Sequence, residues 1–193
     1  RCMITLVLAS SSPYRRELLS RFKLSFDVLS PDIDESPHAS ENAKEISVRL
    51  AREKAFKVSP HYSNSLIIGS DQTAECHNQI IEKPNTHAMA TKQLQFLSGK
   101  VVTFYTSLCL LNTQTKKLQE CVVEFEVKYK QLNPDVIESY LSKEQPYNCV
   151  GSIKSEGLGI TLLDYIKGDD PTALVGLPLI ELSNMLRNEG VVF

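Results

Sequence analysis

Arg15, Arg16, Lys54, Lys83 and Lys154, with the acids Asp34, Glu35, Asp71 and Glu156, are the residues of this chain best placed to do chemistry. Most stand at the end of a local pattern, where loops converge and sites tend to be built. Cations in such places suit a polyphosphate. The acids would repel one unless a divalent metal lay between, and Mg²⁺ or Mn²⁺ take oxygen ligands. Both signs together are what metal-assisted phosphoryl chemistry requires. No standard phosphate loop is present. Gly151 to Gly157 has the wrong spacing for a P-loop, with Leu158 where its lysine would stand, and there is neither a Rossmann glycine pattern nor G-x-S-x-G.

The elements that must position these groups begin at the amino end. Ile4 to Ala9 read as a buried strand, Ser12 as an N-cap, and Pro13 as the first residue of a helix whose buried face is Leu18, Leu19 and Phe22. Strand, serine turn and helix start aim backbone N–H groups at one point, with hydroxyls and an arginine beside it, as a phosphate site would. The same stretch also fits an ordinary capped helix with a surface arginine pair. Ser25 to Leu29 read as a strand, and Asn42 to Ser59 as an amphipathic helix whose polar face (Arg49, Arg52, Glu53, Lys54, Lys57) is by default solvated. Leu66-Ile67-Ile68 is a central strand predicted to open into a loop, Gly69 to Gln72, carrying Asp71.

Thr86 caps a helix to about Leu97, closed by Ser98-Gly99. Val101 to Leu111 and Leu118 to Lys128 form a long hairpin, and Asn133-Pro134 starts a short helix through Leu141. Gly151 to Gly159 is a glycine-bearing loop, Asp169-Asp170 a turn rather than a metal box, and Leu177 to Ile180 open a last helix. No linker or repeat divides the chain, so residues 1–193 are expected to be one mixed α/β domain.

At 193 residues and 42% hydrophobic the chain can bury a substantial core, and a formal charge of −2 gives no broad attraction to nucleic acid or an anionic membrane. The five cysteines lack any C-x-x-C pair, and His38, His61, His77 and His87 do not stand at metal-ligand spacing to them. These features argue against a zinc site or disulfide framework. With no transmembrane-length run and no signal-peptide pattern, a cytoplasmic location is expected, with Met3 a candidate start residue.

The chain resembles the Maf family of nucleotide pyrophosphatases over nearly its whole length. The matching segments are Ser10 to Leu19, Asp34-Glu35, Ala51 to Ala55, Gly69-Ser70-Asp71-Gln72, Lys83-Pro84, Ser98-Gly99 before Val102-Thr103, and Gly176-Leu177-Pro178. The resemblance implies an elongated mixed β-sheet flanked by helices, of the inosine-triphosphatase-like type, with two lobes and a central cleft. It implies cleavage between the α- and β-phosphates with a divalent cation, Mg²⁺ or Mn²⁺. Asp71 matches the proton acceptor, and is read either as the base that deprotonates water or as a metal ligand. Ser10, Ser12, Arg15, Lys54 and Lys83 match phosphate-binding positions, and Glu35 matches an acid helping to hold the metal.

Three positions distinguish Maf branches, and here they are Tyr14, Gln72 and Glu156. This set, with the run Gly151 to Gly157, resembles the branch acting on 7-methyl-GTP rather than the one acting on dTTP and UTP, which has arginine at the first position. The chemistry is consistent. An N7-methylated guanine is cationic, so stacking on an aromatic face gains about 0.5–2 kcal/mol. Its N1–H and N2–H donors suit an acceptor-only carboxylate such as Glu156. Where the family commonly has tryptophan and glycine, this chain has Tyr14 and Glu82.

Other nucleotides (dTTP, UTP or unmethylated purines) and a non-catalytic, nucleotide-binding role in cell division are the alternatives. The partner expected is a small-molecule nucleotide, with no nucleic acid and no membrane. The resemblance admits a homodimer through Val123 to Tyr129 or the last helix, though nothing in the sequence demands one.

Overall fold

The computed structural model describes residues 4–193, so the reading of Met3 as a start lies outside the described residues. Unbroken apolar runs build the first sheet strands. β1 (Thr5–Leu8) pairs in parallel with β2 (Asp27–Val28) and with β3 (Ser65–Cys76). Leu6 and Leu8 of β1, with Leu66 and Ile68 of β3, enter one core; Val7, Ala9 and Ile67 enter another. A strand apolar at every position is what a sheet covered on both faces needs. β4 (Gln79–Ile81) pairs antiparallel with the end of β3. β5 (Val101–Asn112) and β6 (Leu118–Tyr129) form the expected hairpin, and β7 (Leu163–Lys167) pairs antiparallel with β6. The seven-stranded mixed sheet runs β2-β1-β3-β5-β6-β7, with β4 on β3.

The helices follow their caps. α1 (Pro13–Ser20) starts at Ser12, whose hydroxyl accepts from the Arg15 N–H, and Pro13 takes the first turn. α2 (Ala43–Val58) starts at a reciprocal box between Asn42 and Glu45, and α3 (His87–Leu97) starts at Thr86. α4 (Pro134–Glu144) is capped by Asn133 and α5 (Pro171–Val175) by Asp170; α6 (Leu179–Asn188) follows Pro178.

The chain forms two compact units. The first comprises the described residues up to Asp71, then Thr106–Val123 and Asp170–Phe193; it holds α1, α2, α5 and α6. α1 and α6 supply Leu18, Leu19, Leu182, Met185 and Leu186 to one of its cores, and α2 supplies Ala51, Ala55 and Val58 to the other. The second unit, Gln72–Tyr105 and Glu124–Asp169, buries Phe104, Phe125, Val127 and Tyr129 from its strands and Leu94, Leu97, Tyr140 and Leu141 from α3 and α4. Among the described residues Cys76, Cys109, Cys121 and Cys149 are free thiols, and no helix is long and apolar enough to cross a membrane.

Two expectations are corrected. The segment Gly69 to Gln72 is not a loop: β3 runs through it to Cys76, so Asp71 lies inside a strand. β3 is paired in the sheet with β5, and the one proton of the buried Ser70 hydroxyl is shared between the carbonyls of Ser107 (2.8 Å) and Gly176 (3.1 Å). The strand expected over Ser25 to Leu29 shrinks to Asp27–Val28, an edge pair.

Candidate active site

In the first unit, Lys54 and Asp71 meet because α2 lies close on β3. A methyl group at Gly69 would come within 2.1 Å of the Ala51 carbonyl oxygen and 3.1 Å of the Ala55 Cβ, so only glycine admits this approach. One turn along, the Lys54 ammonium stands 2.9 Å from Asp71 Oδ1 and 2.7 Å from Glu35 Oε1. The side chains of Lys54 and Asp71 are 8% and 9% exposed, and that of Glu35 is 52% exposed. Asp71 Oδ2 is buried with no hydrogen-bond partner. A buried carboxylate oxygen left unpaired is costly, and in native sites it marks a place for a water, a proton or an ion.

The loop bearing Glu35 is fastened by Arg49 of α2. Its guanidinium donates to both Glu41 carboxylate oxygens (2.7 and 2.9 Å), to Glu53 and to the Ser36 carbonyl (3.1 Å). Its hydrogen bonds with the Glu41 carboxylate pull that pKa down to about 2. Sequence reading assigned Arg49 to a solvated face; the structure makes it the clamp of the acidic loop.

Ser10, Ser12 and Arg15 come together at the turn into α1. The Ser12 N–H donates to Ser10 Oγ (3.0 Å), and the Arg15 N–H donates to Ser12 Oγ (3.2 Å). Both hydroxyls therefore serve the turn as acceptors and keep their protons to donate. Arg15 is 8% exposed, and its Nε donates to the Gly176 carbonyl at 2.7 Å. Burial pulls the Arg15 pKa down, while the charges of Asp71 and Glu35 oppose that pull. Arg16, by contrast, is exposed, in keeping with a surface residue. Tyr14 is half-buried on the same turn.

Gly176 reads in the sequence only as part of a turn, yet its carbonyl receives both Arg15 Nε and Ser70 Oγ. Its φ of 131° is glycine territory. Asp170 sets that loop, accepting from the N–H groups of Thr172 and Ile180 (2.9 Å each) and so capping two helices at once. The Asp-Pro pair Asp170-Pro171 was the available signal for this cap.

In the second unit stand Gln72, next after Asp71 in β3, and Lys83, exposed just past β4. Glu156 is exposed on a turn, residues 155–157, within the glycine-bearing segment. That segment is built from two short 3₁₀ turns, Val150–Ser152 and Leu158–Leu162, rather than an open loop. Lys154 pairs with Glu144 (3.1 Å), and its hydrogen bond to that carboxylate is the chief reason its pKa is raised; Glu144 also accepts from the Leu158 N–H, so the pair anchors the turn. Glu82 takes its place without positive φ, so no glycine is required there.

Glu35 and Asp71 were expected to share a metal. The group between them here is the Lys54 ammonium, and among the described residues no three His, Cys, Asp or Glu side chains gather into a metal cluster. Mg²⁺, however, is commonly bound by one or two carboxylates and otherwise by water and phosphate oxygens. A half-exposed Glu35 and the unpaired Asp71 Oδ2 fit that pattern.

A helix-flanked mixed sheet thus carries buried cations beside an acid with a spare oxygen, an arrangement whose chemistry suits a phosphate ligand. The sequence profile described as Maf-like protein matches residues 5–189, and the chain belongs to that family. Relatives named 7-methyl-GTP pyrophosphatase match it nearly end to end. That of Methylobacillus flagellatus is 51% identical, covering 98% of each chain. That of Nitrosococcus oceani is also 51% identical, over 96% of this chain and 94% of that one. The Pseudomonas aeruginosa protein is 49% identical over 98% of each. A looser likeness, at 13% identity and TM-score 0.47, is to the structure of the Staphylococcus aureus Ham1 protein, over 65% of this chain and 71% of that one.

Proposed function

We propose that this Maf protein is a cytoplasmic pyrophosphatase that hydrolyses 7-methyl-GTP to 7-methyl-GMP and pyrophosphate. The observation that carries the chemistry is Asp71, with one oxygen on Lys54 and the other buried and unpaired. The Lys54 ammonium holds Oδ1 in place, and Oδ2 keeps a lone pair to take a proton from water. Attack of that water on the α-phosphorus breaks the bond to the bridging α–β oxygen. The electron pair leaves with pyrophosphate, and the water proton passes to Asp71. Arg15, Lys54, Lys83 and the Ser10 and Ser12 hydroxyls offset the charge of the phosphates.

Glu35 and Asp71 would hold a divalent cation, Mg²⁺ or Mn²⁺, which when bound supplies neutralisation of the phosphate oxygens. Tyr14, Gln72 and Glu156 read the base: an aromatic face for the cationic ring and a carboxylate for the guanine N–H edge. The names of the relatives, near 50% identity over almost the full chain, support this substrate.

The test is pyrophosphate release from a panel of nucleoside triphosphates with Mg²⁺. 7-methyl-GTP should be cleaved with the highest kcat/KM, and Asp71→Asn should lose about 10²–10⁴-fold in kcat. Tight binding without turnover would favour a nucleotide-binding regulator, and a preference for dTTP or UTP would overturn the base assignment.

A further inference from the structure

The second unit contains a side-chain link that catalysis itself does not use. Gln93 of α3 is half-buried, and its carboxamide spans two segments. Nε2 donates to the Glu82 carbonyl (2.9 Å), and Oε1 accepts from Ser152 Oγ (2.6 Å). A carbonyl can only accept, so the amide has one orientation available and the serine must donate. The Gly151 N–H reaches the same Glu82 carbonyl at 3.4 Å.

On one side of this link, Glu82 immediately precedes Lys83. On the other, Gly151 and Ser152 both take left-handed backbone, with φ of 69° and 54°. A serine there is strained and persists only where its surroundings over-determine it. Buried phenols do so. Tyr129 donates to the Gly151 carbonyl (2.9 Å), and Tyr140 donates to the Ser152 carbonyl (2.8 Å) while accepting from the Lys154 N–H (3.0 Å). Glu144 then holds Lys154 and Leu158 on either side of the turn that carries Glu156.

We propose that Gln93 is a positioning residue that sets the spacing between the Lys83 segment and the Glu156 turn, and so tunes which base is accepted at a given phosphate register. The assignment rests on the functional reading above, since it gives Lys83 the phosphate and Glu156 the base. A link between the two segments sharpens discrimination because a base misplaced by even an ångström forfeits its directed hydrogen bonds.

Two variants test it. Gln93→Leu removes both bonds at similar volume. Ser152→Gly removes the hydroxyl while easing the left-handed backbone, so the fold is kept. Each should raise KM for 7-methyl-GTP about tenfold and lower its kcat/KM advantage over UTP about tenfold, with kcat within about threefold. The double variant should be little worse than either single one, since both cut the same link. A fall in melting temperature with the 7-methyl-GTP to UTP ratio unchanged in both variants would reduce Gln93 to a structural staple and overturn the assignment. A wild-type protein that cleaves neither nucleotide sinks the functional reading itself, and this assignment with it.

Discussion

Lys54 is the cation on which two acids depend. Its ammonium lies 2.7 Å from Glu35 and 2.9 Å from Asp71, and the Asp71 pair is largely shut from water. Taking away one partner of a buried pair leaves a charge with no counterion, which costs far more than the pair contributes net. Lys54→Met is therefore expected to destabilise the protein by about 3 kcal/mol in urea unfolding. Adding Asp71→Asn to that variant should recover much of the loss, because the stranded charge goes with it. Arg15 differs in kind. Its Nε is committed to the Gly176 carbonyl, so the residue is both a brace and a charge. Neither Gly176 nor Ser70, 161 and 106 residues from their partners, could be found from local pattern.

At the scale of elements, the close crossing of α2 over β3 decides the site geometry. Gly69→Ala would drive a methyl group into the Ala51 carbonyl oxygen, and backbone cannot rotate away as a side chain can. A loss of about 3 kcal/mol is expected, with pyrophosphatase activity falling in the fraction that remains folded. Circular dichroism against urea, with activity per folded molecule, separates the two effects.

The acidic loop gives a pH signature. The Glu41 pKa in the folded protein is pulled down to about 2 by hydrogen bonds from Arg49, below the ordinary value of 4.5. A depressed carboxylate pKa stabilises the fold fully above the unfolded value and loses that stabilisation as pH falls through the folded one. The stability gap between wild type and Glu41→Gln should thus stay constant above about pH 5. It should close between pH 4.5 and about 2 in acid denaturation curves.

Elements were legible where their signals are local. Asn42, Thr86 and Asn133 cap the predicted helices, and the continuous apolar runs of β1 and β3 give a sheet covered on both sides. What escaped was set by distant partners. Ser70-Asp71-Gln72 look like a turn by composition, but β3 continues through them beside β5, a strand that starts only at Val101. The candidate site residues were named through a family resemblance, and the structure gathers Ser10, Ser12 and Arg15 at one turn and Glu35, Lys54 and Asp71 in one cluster. Their supports Arg49 and Gln93 were not legible, since each acts through contacts that no spacing rule encodes, whereas Asp170 left the local signal of an Asp-Pro pair.

Considered as a whole, the molecule divides the proposed site residues between its two units. Ser10, Ser12, Tyr14, Arg15, Glu35, Lys54 and Asp71 belong to the first; Gln72, Lys83 and Glu156 belong to the second. The border falls on the Asp71–Gln72 peptide bond, between the proposed base and the first base-reading residue of the second unit. Two stretches, Gln72–Tyr105 and Glu124–Asp169, make up that unit, so among the described residues the chain passes from one unit to the other at the ends of these stretches. Nucleobase preference therefore becomes portable. A chimaera in which a dTTP- or UTP-cleaving relative donates only those two inserts, with Tyr14→Arg in the recipient, should inherit the donor's pyrimidine preference while retaining the hydrolytic apparatus of the host. Competition between labelled nucleotides would read out the inheritance, and for such a protein substrate choice would evolve by exchange of cassettes rather than by rebuilding the engine.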